Sequence, residues 1–436
     1  MKSIAILLDK TLSFLLQLIH RGGSMPGRFA LKLNNKVLQE LSISCPVILI
    51  TGTNGKTSTC NLIASSLEKA GKKVITNRKG DNMREGIATS VLTASTLSGE
   101  VHADYIVLEV DELNVRYIMK DLPVSHIVVT NFFRDQLDRA REMEQLIQKI
   151  EDAIVDFKGT LVLNANDPNV VRLHHTAKQA NAIYYGMNKC KTSFTENKEA
   201  SEGKFCPICG GKLKYDFYQY SHIGVYHCVN HDFKTPEDSL TGDVVDIAKR
   251  EFKLYETTYK APQDGLYTMY NCMAVLCVLK NLGIDLNYAK ETFATIDVPG
   301  GRNEILTIHD QKCVLNLIKN PTGANEVLKV IEEDKDMKTV LLVLNDHAQD
   351  GTDISWIYDT FFEKLISSTT THVICSGDRC YDMALRLKYG GYVDRIEVEE
   401  NLDQAVKSLI NSNTTMYAIA TYTALQPVRK LLRRNA

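Results

Sequence analysis

The chain has no excess of either charge. Its 51 Lys and Arg against 53 Asp and Glu leave a formal net charge of −2, so composition offers no basic stripe for a phosphate backbone and argues against nucleic acid as a partner. Cysteine is too thin for a disulfide scaffold, 11 residues in 436, and four positions with metal-ligand spacing point to a reducing compartment, so a cytoplasmic protein is expected. No long apolar run is present either. The apolar start, Ile4 to Leu8 and then Leu12, Leu15, Leu16 and Ile19, is interrupted by Asp9 and Lys10, has no small-residue cleavage site and is too short to span a bilayer. Its helical spacing predicts an amphipathic helix, with Lys2, Asp9, Ser13 and Gln17 off the apolar face, docked on its own protein or peripheral at the inner face of the membrane. There is no internal repeat and no low-complexity segment. No cysteine sits in a G-x-C-x-G elbow and no Ser-His-Asp order stands out, which argues against covalent catalysis.

What is present begins with length: 436 residues exceed one hydrophobic core and predict two or three domains. The organising stretch is the apolar run Val47 to Ile50, followed by Thr51-Gly52-Thr53-Asn54-Gly55-Lys56-Thr57-Ser58-Thr59 and a helix-like Cys60 to Lys69. Strand, phosphate loop and helix follow one another. The glycines let backbone N–H groups turn toward phosphate oxygens, Lys56 reaches the terminal phosphates and the Thr57 hydroxyl is placed to hold Mg²⁺. Thr53, Asn54, Gly55, Lys56, Thr57 and Ser58 are therefore the candidate ATP-binding residues, although G-T-N-G-K-T is two residues shorter than the general G-x-x-x-x-G-K-[ST] spacing.

Strand–helix alternation continues through Lys73 to Thr76, Tyr105 to Glu112, Ser125 to Asn131 and Gly159 to Asn164, which predicts a doubly wound α/β sheet with acidic strand ends facing one crevice. Glu109 is a candidate Mg²⁺ ligand or water-organising carboxylate. The cluster from Thr130 to Arg139, with Asn131 and Asp135, suits metal and terminal phosphate. From Lys189 the texture changes, and Cys206, Cys209, Cys228 and His231 form C-x₂-C-x₁₈-C-x₂-H, the spacing of a structural zinc ribbon with a closed, non-catalytic site. His227 and His222 compete for the fourth position. After the Pro299-Gly300-Gly301 break the alternation restarts. The expected plan is an N-terminal helical segment at 1–44, an ATP-binding domain at 45–299 carrying the insertion at about 190–250, and a second α/β domain at 300–436.

These motifs resemble those of the Mur ligases and folylpolyglutamate synthases: the T-G-T-N-G-K-T loop, Glu109, T-N-x-x-x-D-x-x-D at Thr130 to Asp138, L-N-A-x-D at Leu163 to Asp167, and G-R-N-E at Gly301 to Glu304. The resemblance covers nearly everything after about residue 45. It implies a central P-loop ATPase domain and a Rossmann-like C-terminal domain, with Asn164, Asp167 and Arg302 added to the nucleotide-binding set. It also implies ATP and Mg²⁺ chemistry in which a carboxylate becomes an acyl phosphate that an amine attacks. Arg302, at the hinge, is expected to meet nucleotide only on domain closure.

Departures narrow the branch. No UDP-binding domain precedes the loop, and Ile150, with Lys149 one place off, stands where many Mur ligases carry a carbamylated lysine. Asn316-Leu-Ile-Lys319-Asn320-Pro321 replaces D-Y-A-H-N-P, and Gly265-Leu-Tyr267-Thr268-Met-Tyr-Asn271 replaces G-x-H-N-x-x-N. With the zinc ribbon and the stretch Asn345 to Asp359, these features are similar to an amidating branch of the family. That resemblance implies amidation of the D-glutamate α-carboxylate in the lipid II stem peptide, with ammonia from a GatD-like glutaminase subunit. It further implies that Asp353, with Asp350 in reserve, completes the partner's Cys-His pair. The competing readings are a ligase that joins an amino acid to a carboxylate and a zinc-ribbon ATPase that binds nucleic acid.

Overall fold

The computed structural model describes residues 1–18, 22–78, 81–133, 143–197, 203–230, 232–296, 304–392 and 395–435. They divide into two compact units, one taking in essentially everything through Ile296 and the other beginning at Glu304. The first unit opens with α1 (Lys2–Leu18), α2 (Met25–Leu33) and the short strand β1 (Ser42–Ile43). The expected alternation then runs β2 (Val47–Thr51), α3 (Lys56–Lys69), β3 (Val74–Thr76), α4 (Arg84–Ala94), β4 (Glu100–Val101), β5 (Tyr105–Glu109), α5 (Val115–Asp121) and β6 (Val124–Val129). It continues as α6 (Met143–Ile154), β7 (Thr160–Asn164), α7 (Pro168–Thr176) and β8 (Asn181–Met187). The hairpin β9 (Leu213–Tyr220) and β10 (Ile223–Cys228) forms its own small sheet.

The chain re-enters the main sheet at β11 (Leu240–Asp246), parallel to β8, and adds β12 (Glu251–Leu254) and β13 (Thr257–Lys260) as antiparallel edge strands. The sequence reading did not single out these three strands. Helices α8 (Leu266–Asn281) and α9 (Asn287–Thr295) follow. The resulting order is β13-β12-β11-β8-β7-β6-β2-β5-β3, with β2 in parallel register between β5 and β6 (Ile50 opposite Glu109 and Val128).

Strand β2 is buried on both faces, as its unbroken apolar run requires in a parallel sheet. Ile48 and Ile50 pack with Val107 toward α3 and α8, while Val47 and Leu49 pack with Ile106 and Leu108 toward α1, α2 and α4. Each such side chain contributes about 1.5–3 kcal/mol relative to exposure. Helix α8 is apolar on every side and buried along its length, the pattern of a core helix and not of a surface one.

The N-terminal helix forms as the spacing predicts, but its faces are reversed from the expectation. Ala5 and Ile6 go inward together with Asp9 and Ser13, and Ile4, Leu7, Phe14, Leu15 and Leu18 face solvent. The reason is local: Asp9 accepts a hydrogen bond from the Thr93 hydroxyl on α4 at 2.9 Å, and the Lys10 ammonium donates to the Thr93 carbonyl at 2.6 Å. Burial pushes the Asp9 carboxyl up to about 7. Helix α2 approaches α4 closely at Gly27, where a Cβ would lie 2.1 Å from the Glu85 carbonyl oxygen. Among the described residues, no helix is long and apolar enough to cross a membrane.

The second unit contains β14 (Glu304–Ile308), β15 (Gln311–Leu317), α10 (Pro321–Glu333), β16 (Lys338–Val343), β17 (Thr370–Ser376), α11 (Cys380–Tyr389), β18 (Ile396–Val398), α12 (Leu402–Ile410), β19 (Thr415–Ala420) and α13 (Tyr422–Arg434). Its sheet runs β14-β15-β19-β16-β17-β18, parallel except for the β14–β15 hairpin. Val340 and Leu342 face one half of the core, and Leu341 and Val343 the other. Asn320 caps α10 by accepting from the Gly323 amide at 2.9 Å, with Pro321 in the first turn. The position that resembles a D-Y-A-H-N-P motif thus begins a helix.

Candidate active site

The loop between β2 and α3 is fixed by its neighbours. Gly52 and Gly55 adopt φ of 116° and 87°, conformations that L side chains rarely adopt. A Cβ on Gly52 would fall 2.4 Å from the Thr130 hydroxyl, and one on Gly55 2.3 Å from Asn271 Oδ1. Asn131 holds the loop through two bonds, accepting from the Asn54 amide at 2.9 Å and donating to the Asn54 carbonyl at 3.0 Å. The Asn131 carbonyl also accepts from the Thr53 amide at 2.8 Å, and the Thr53 hydroxyl accepts from the Phe133 amide at 3.0 Å. Thr57 is exposed and Ser58 partly exposed on the first turn of α3, where unpaired helical amides gather. The arrangement is a rigid concave end of a helix, suited to an anionic phosphate chain.

Lys56 is buried beside this loop. Its ammonium donates to the carbonyls of Gly52 at 2.5 Å and Thr53 at 3.2 Å, and pairs with Glu112 at 3.1 Å. Glu109, at the end of β5, is buried; its carboxylate accepts from the Asn82 amide nitrogen at 2.9 Å. The Asn77 side chain clamps the Glu109 backbone on both sides, at 2.9 Å and 2.8 Å. Burial and the Glu109 charge push the nearby Cys60 thiol up to about 12, so it stays protonated at neutral pH.

A second layer supports this corner. Asn164 donates to the Thr130 carbonyl at 3.0 Å. The fully buried Asp167 caps α7 through the Asn169 amide at 2.9 Å, and its other oxygen accepts from the Phe132 amide at 2.9 Å. Asn164 and Asp167, expected as nucleotide ligands, are thus placed behind the loop residues Thr130 to Phe132. The tip of the β9–β10 hairpin docks on the same corner: His222 lies 3.2 Å from Asp167 and tilts against Phe133, and Gly224 and Asn166 exchange backbone and side-chain bonds at 2.9 Å and 3.1 Å.

At the far end of that hairpin, the sulfurs of Cys206, Cys209 and Cys228 lie within 4.8 Å of one another. Peptide N–H groups point at each of them, from Ile208 at 3.4 Å, Gly211 at 3.3 Å and Asn230 at 3.4 Å. Gly210 supplies a left-handed turn, φ 70°, between Cys209 and Gly211. His222 and His227, the alternatives to His231, stand elsewhere: His222 on Asp167, and His227 exposed beside Asp216 at 3.7 Å. Asp135, Arg302 and His231 lie outside the described residues.

In the second unit the turn after β16 separates its two acids. Asp350 is buried and accepts from the amide and the hydroxyl of Thr423 in the first turn of α13, the amide at 2.7 Å. Asp353 is half-buried and accepts from the Ser355 amide at 2.8 Å. Gly351, at φ 89°, turns the chain between them.

Three residues that shape the loop or hold the Glu109 carboxylate were not singled out as site residues. Glu112 was legible only as one acid among several after β5; Asn82 carried no motif signal; Asn271 stood in the motif position that matches G-x-H-N-x-x-N, which was its one signal.

Comparison with known proteins agrees with this architecture. A family model described as the Mur ligase middle domain matches residues 50–279, and one described as the MurT ligase C-terminal matches 317–425. The lipid II isoglutaminyl synthase (glutamine-hydrolyzing) subunit MurT of Staphylococcus aureus strain N315 is 34% identical over 95% of this chain and 94% of its own. The subunit of the same name from Streptococcus pneumoniae R6 is 33% identical over 99% of this chain and 96% of its own. Among solved structures, a pseudomurein peptide ligase type C from Methanothermus fervidus superposes with a TM-score of 0.71 at 21% identity, covering 92% of this chain and 81% of that one. A folylpolyglutamate synthase from Thermotoga maritima shares the fold with a TM-score of 0.56 at 16% identity, over 98% and 97% of the two chains. Together, the matched phosphate-loop domain, the matched C-terminal domain and the near full-length relatives make this chain a member of the Mur ligase family of ATP-dependent ligases, in its MurT branch.

Proposed function

We propose that the chain is the synthetase subunit of an enzyme that amidates the D-glutamate α-carboxylate of the lipid II stem peptide, using ammonia from a glutaminase subunit. The observation that carries this reading is near full-length similarity to subunits named for that reaction, joined to a phosphate loop held rigid by Asn131 and Asn271. Residues 45–299 would serve as the ATP-binding domain and 300–436 as the second domain.

The chemistry must bring two anions, a carboxylate and a triphosphate, together. The loop amides and Lys56 bind and orient the phosphates, which requires the Lys56 ammonium to exchange Glu112 for phosphate oxygen. Thr57 and Glu109 fit a magnesium ion, since one presents a hydroxyl at the first turn of α3 and the other a carboxylate at the end of the neighbouring strand. Bound there, the ion would supply neutralisation of phosphate charge. Carboxylate attack on the terminal phosphorus releases ADP and forms an acyl phosphate; ammonia then displaces inorganic phosphate and loses a proton, leaving the carboxamide.

Asn164 and Asp167 act by positioning Thr130 to Phe132. Asp135 and Arg302 remain assigned to the nucleotide, Arg302 as the residue delivered by closure. Asp353 is assigned to the glutaminase, because it is the accessible acid of its pair. Asp350 is committed to Thr423.

The three-cysteine cluster fits zinc, with His231 as fourth ligand. Three thiol sulfurs converge, and peptide N–H groups aimed at each would stabilise thiolates. Its role is structural: it closes the end of a hairpin whose other end braces Asp167.

The test is mass spectrometry of lipid II incubated with this chain, ATP, Mg²⁺ and ammonium, with and without the copurified partner and glutamine. Conversion of one carboxylate to carboxamide per stem peptide is expected. Unchanged lipid with an amino-acid-dependent ATPase would favour an amino-acid-adding ligase instead.

A further inference from the structure

Helix α1 is amphipathic in the wrong sense for a helix docked only on its own protein. It keeps Asp9 and Ser13 inside and turns one stripe outward at positions 4, 7, 11, 14, 15 and 18; Ile4, Phe14 and Leu18 there are 62%, 62% and 63% exposed. The orientation is anchored, because Lys2 donates to the Glu40 carbonyl, Lys10 to the Thr93 carbonyl, and Thr93 to Asp9. Helix α2 packs against α1 and exposes Met25, Phe29 and Leu33 alongside Arg28 and Lys32. Water is a poor solvent for so concentrated an apolar surface, and surfaces of this kind mark interaction sites.

The charge on these helices identifies the partner. In a chain of formal net charge −2, residues 1–33 hold Lys2, Lys10, Arg21, Arg28 and Lys32 against the single acid Asp9, and that acid is fully buried. No acid is exposed on either helix. Apolar side chains flanked by the exposed Arg28 and Lys32, with no exposed carboxylate on either helix, match the boundary of an anionic bilayer, where acyl chains take the apolar stripe and headgroup phosphates these two cations. A second copy of this chain would set these cations against the same cations.

We propose that α1 and α2 are a docking face for the surface of an anionic phospholipid bilayer, lying in the interface without crossing it. The proposal rests on the amidation reading, since a lipid-linked substrate offers its stem peptide only at that surface; docking there replaces a three-dimensional search by a two-dimensional one.

The experiment uses the full chain copurified with its glutaminase. Flotation is measured with phosphatidylcholine vesicles and with vesicles also containing phosphatidylglycerol, for wild type, the double variant Leu7→Glu/Phe14→Glu and the double variant Arg28→Glu/Lys32→Glu. All four positions are solvent-facing, so circular dichroism and ATP binding should be unchanged. Wild type is expected to float with the anionic vesicles. Either double variant should lose at least tenfold in binding, the charge-reversed one together with the salt dependence.

Turnover separates this proposal from the amidation reading. Amidation of vesicle-embedded lipid II should fall with binding, while amidation of a short-chain, water-soluble lipid II analogue stays at the wild-type rate. Failure of wild type to float, or unaltered flotation of both variants, overturns the docking face even if the soluble analogue is amidated. So does a wild-type dimer or glutaminase complex that sedimentation shows to come apart in Leu7→Glu/Phe14→Glu. Flotation without amidation of either substrate would leave docking standing and remove the amidation reading.

Discussion

Each unit carries a pair of acids three residues apart at or beyond the end of a buried parallel strand, Glu109 and Glu112 in the first and Asp350 and Asp353 in the second, and the pairs are used in opposite order. In the first pair the strand-end acid accepts from Asn82 while the later one seizes Lys56. In the second, the earlier acid is absorbed by the amide and hydroxyl of Thr423 and the later one is left half-exposed in a turn. Spacing is therefore the same and role is not. What separates the members is which neighbour reaches them: an ammonium in one case, the N-terminus of a helix in the other.

The contrast is open to direct attack. The largest effect should come from Lys56→Ala, which removes the cation that Glu112 holds; ATP-dependent amidation should fall about 10²–10³-fold with either nitrogen source, measured as phosphate release. Next, Asp353→Asn should abolish glutamine-driven turnover in the complex while ammonium-driven amidation persists, and equal loss of both would refute its assignment to the partner. Smaller is Glu112→Gln. It leaves a buried ammonium with weaker compensation, so stability without nucleotide should drop by about 1–3 kcal/mol in urea unfolding, yet ATP should bind more tightly by calorimetry because Lys56 no longer has to leave a carboxylate. Smallest is Asp350→Ala, expected to cost about 1–2 kcal/mol of stability with ATP affinity unchanged. If Glu112→Gln and Asp350→Ala gave the same signature, the distinction between the pairs would collapse.

Much of this was legible in the order of residues. The run Val47 to Thr51 followed by G-T-N-G-K-T could only be a strand, loop and helix, because parallel burial demands an apolar run and the loop demands glycine at positive φ. Asn131 was legible because it follows a strand adjacent to the loop strand. Strands β11 to β13 were not, since Thr241-Gly242-Asp243 and Lys253 carry too little apolar alternation to announce a strand at a sheet edge. The reversal of α1 was hidden for a related reason. Spacing gives the apolar stripe but not which side meets the protein, and it was Thr93, far along the chain, that drew Asp9 inward. Tertiary partners also decided Glu112 and Asp350, whose local contexts look alike.

The contact between Gly55 and Asn271 sets a timetable for the chain as it is made. The phosphate loop, its strand and its helix leave the ribosome early, but the side chain that abuts the loop belongs to α8, which is synthesised only after the cysteine-bearing insertion and strands β11 to β13. Until then the loop has Asn131 on one flank and nothing from α8 on the other. A nascent chain would acquire its nucleotide grip in one late step, when α8 slides under the sheet, and chains halted before that point would carry the motif without the shape.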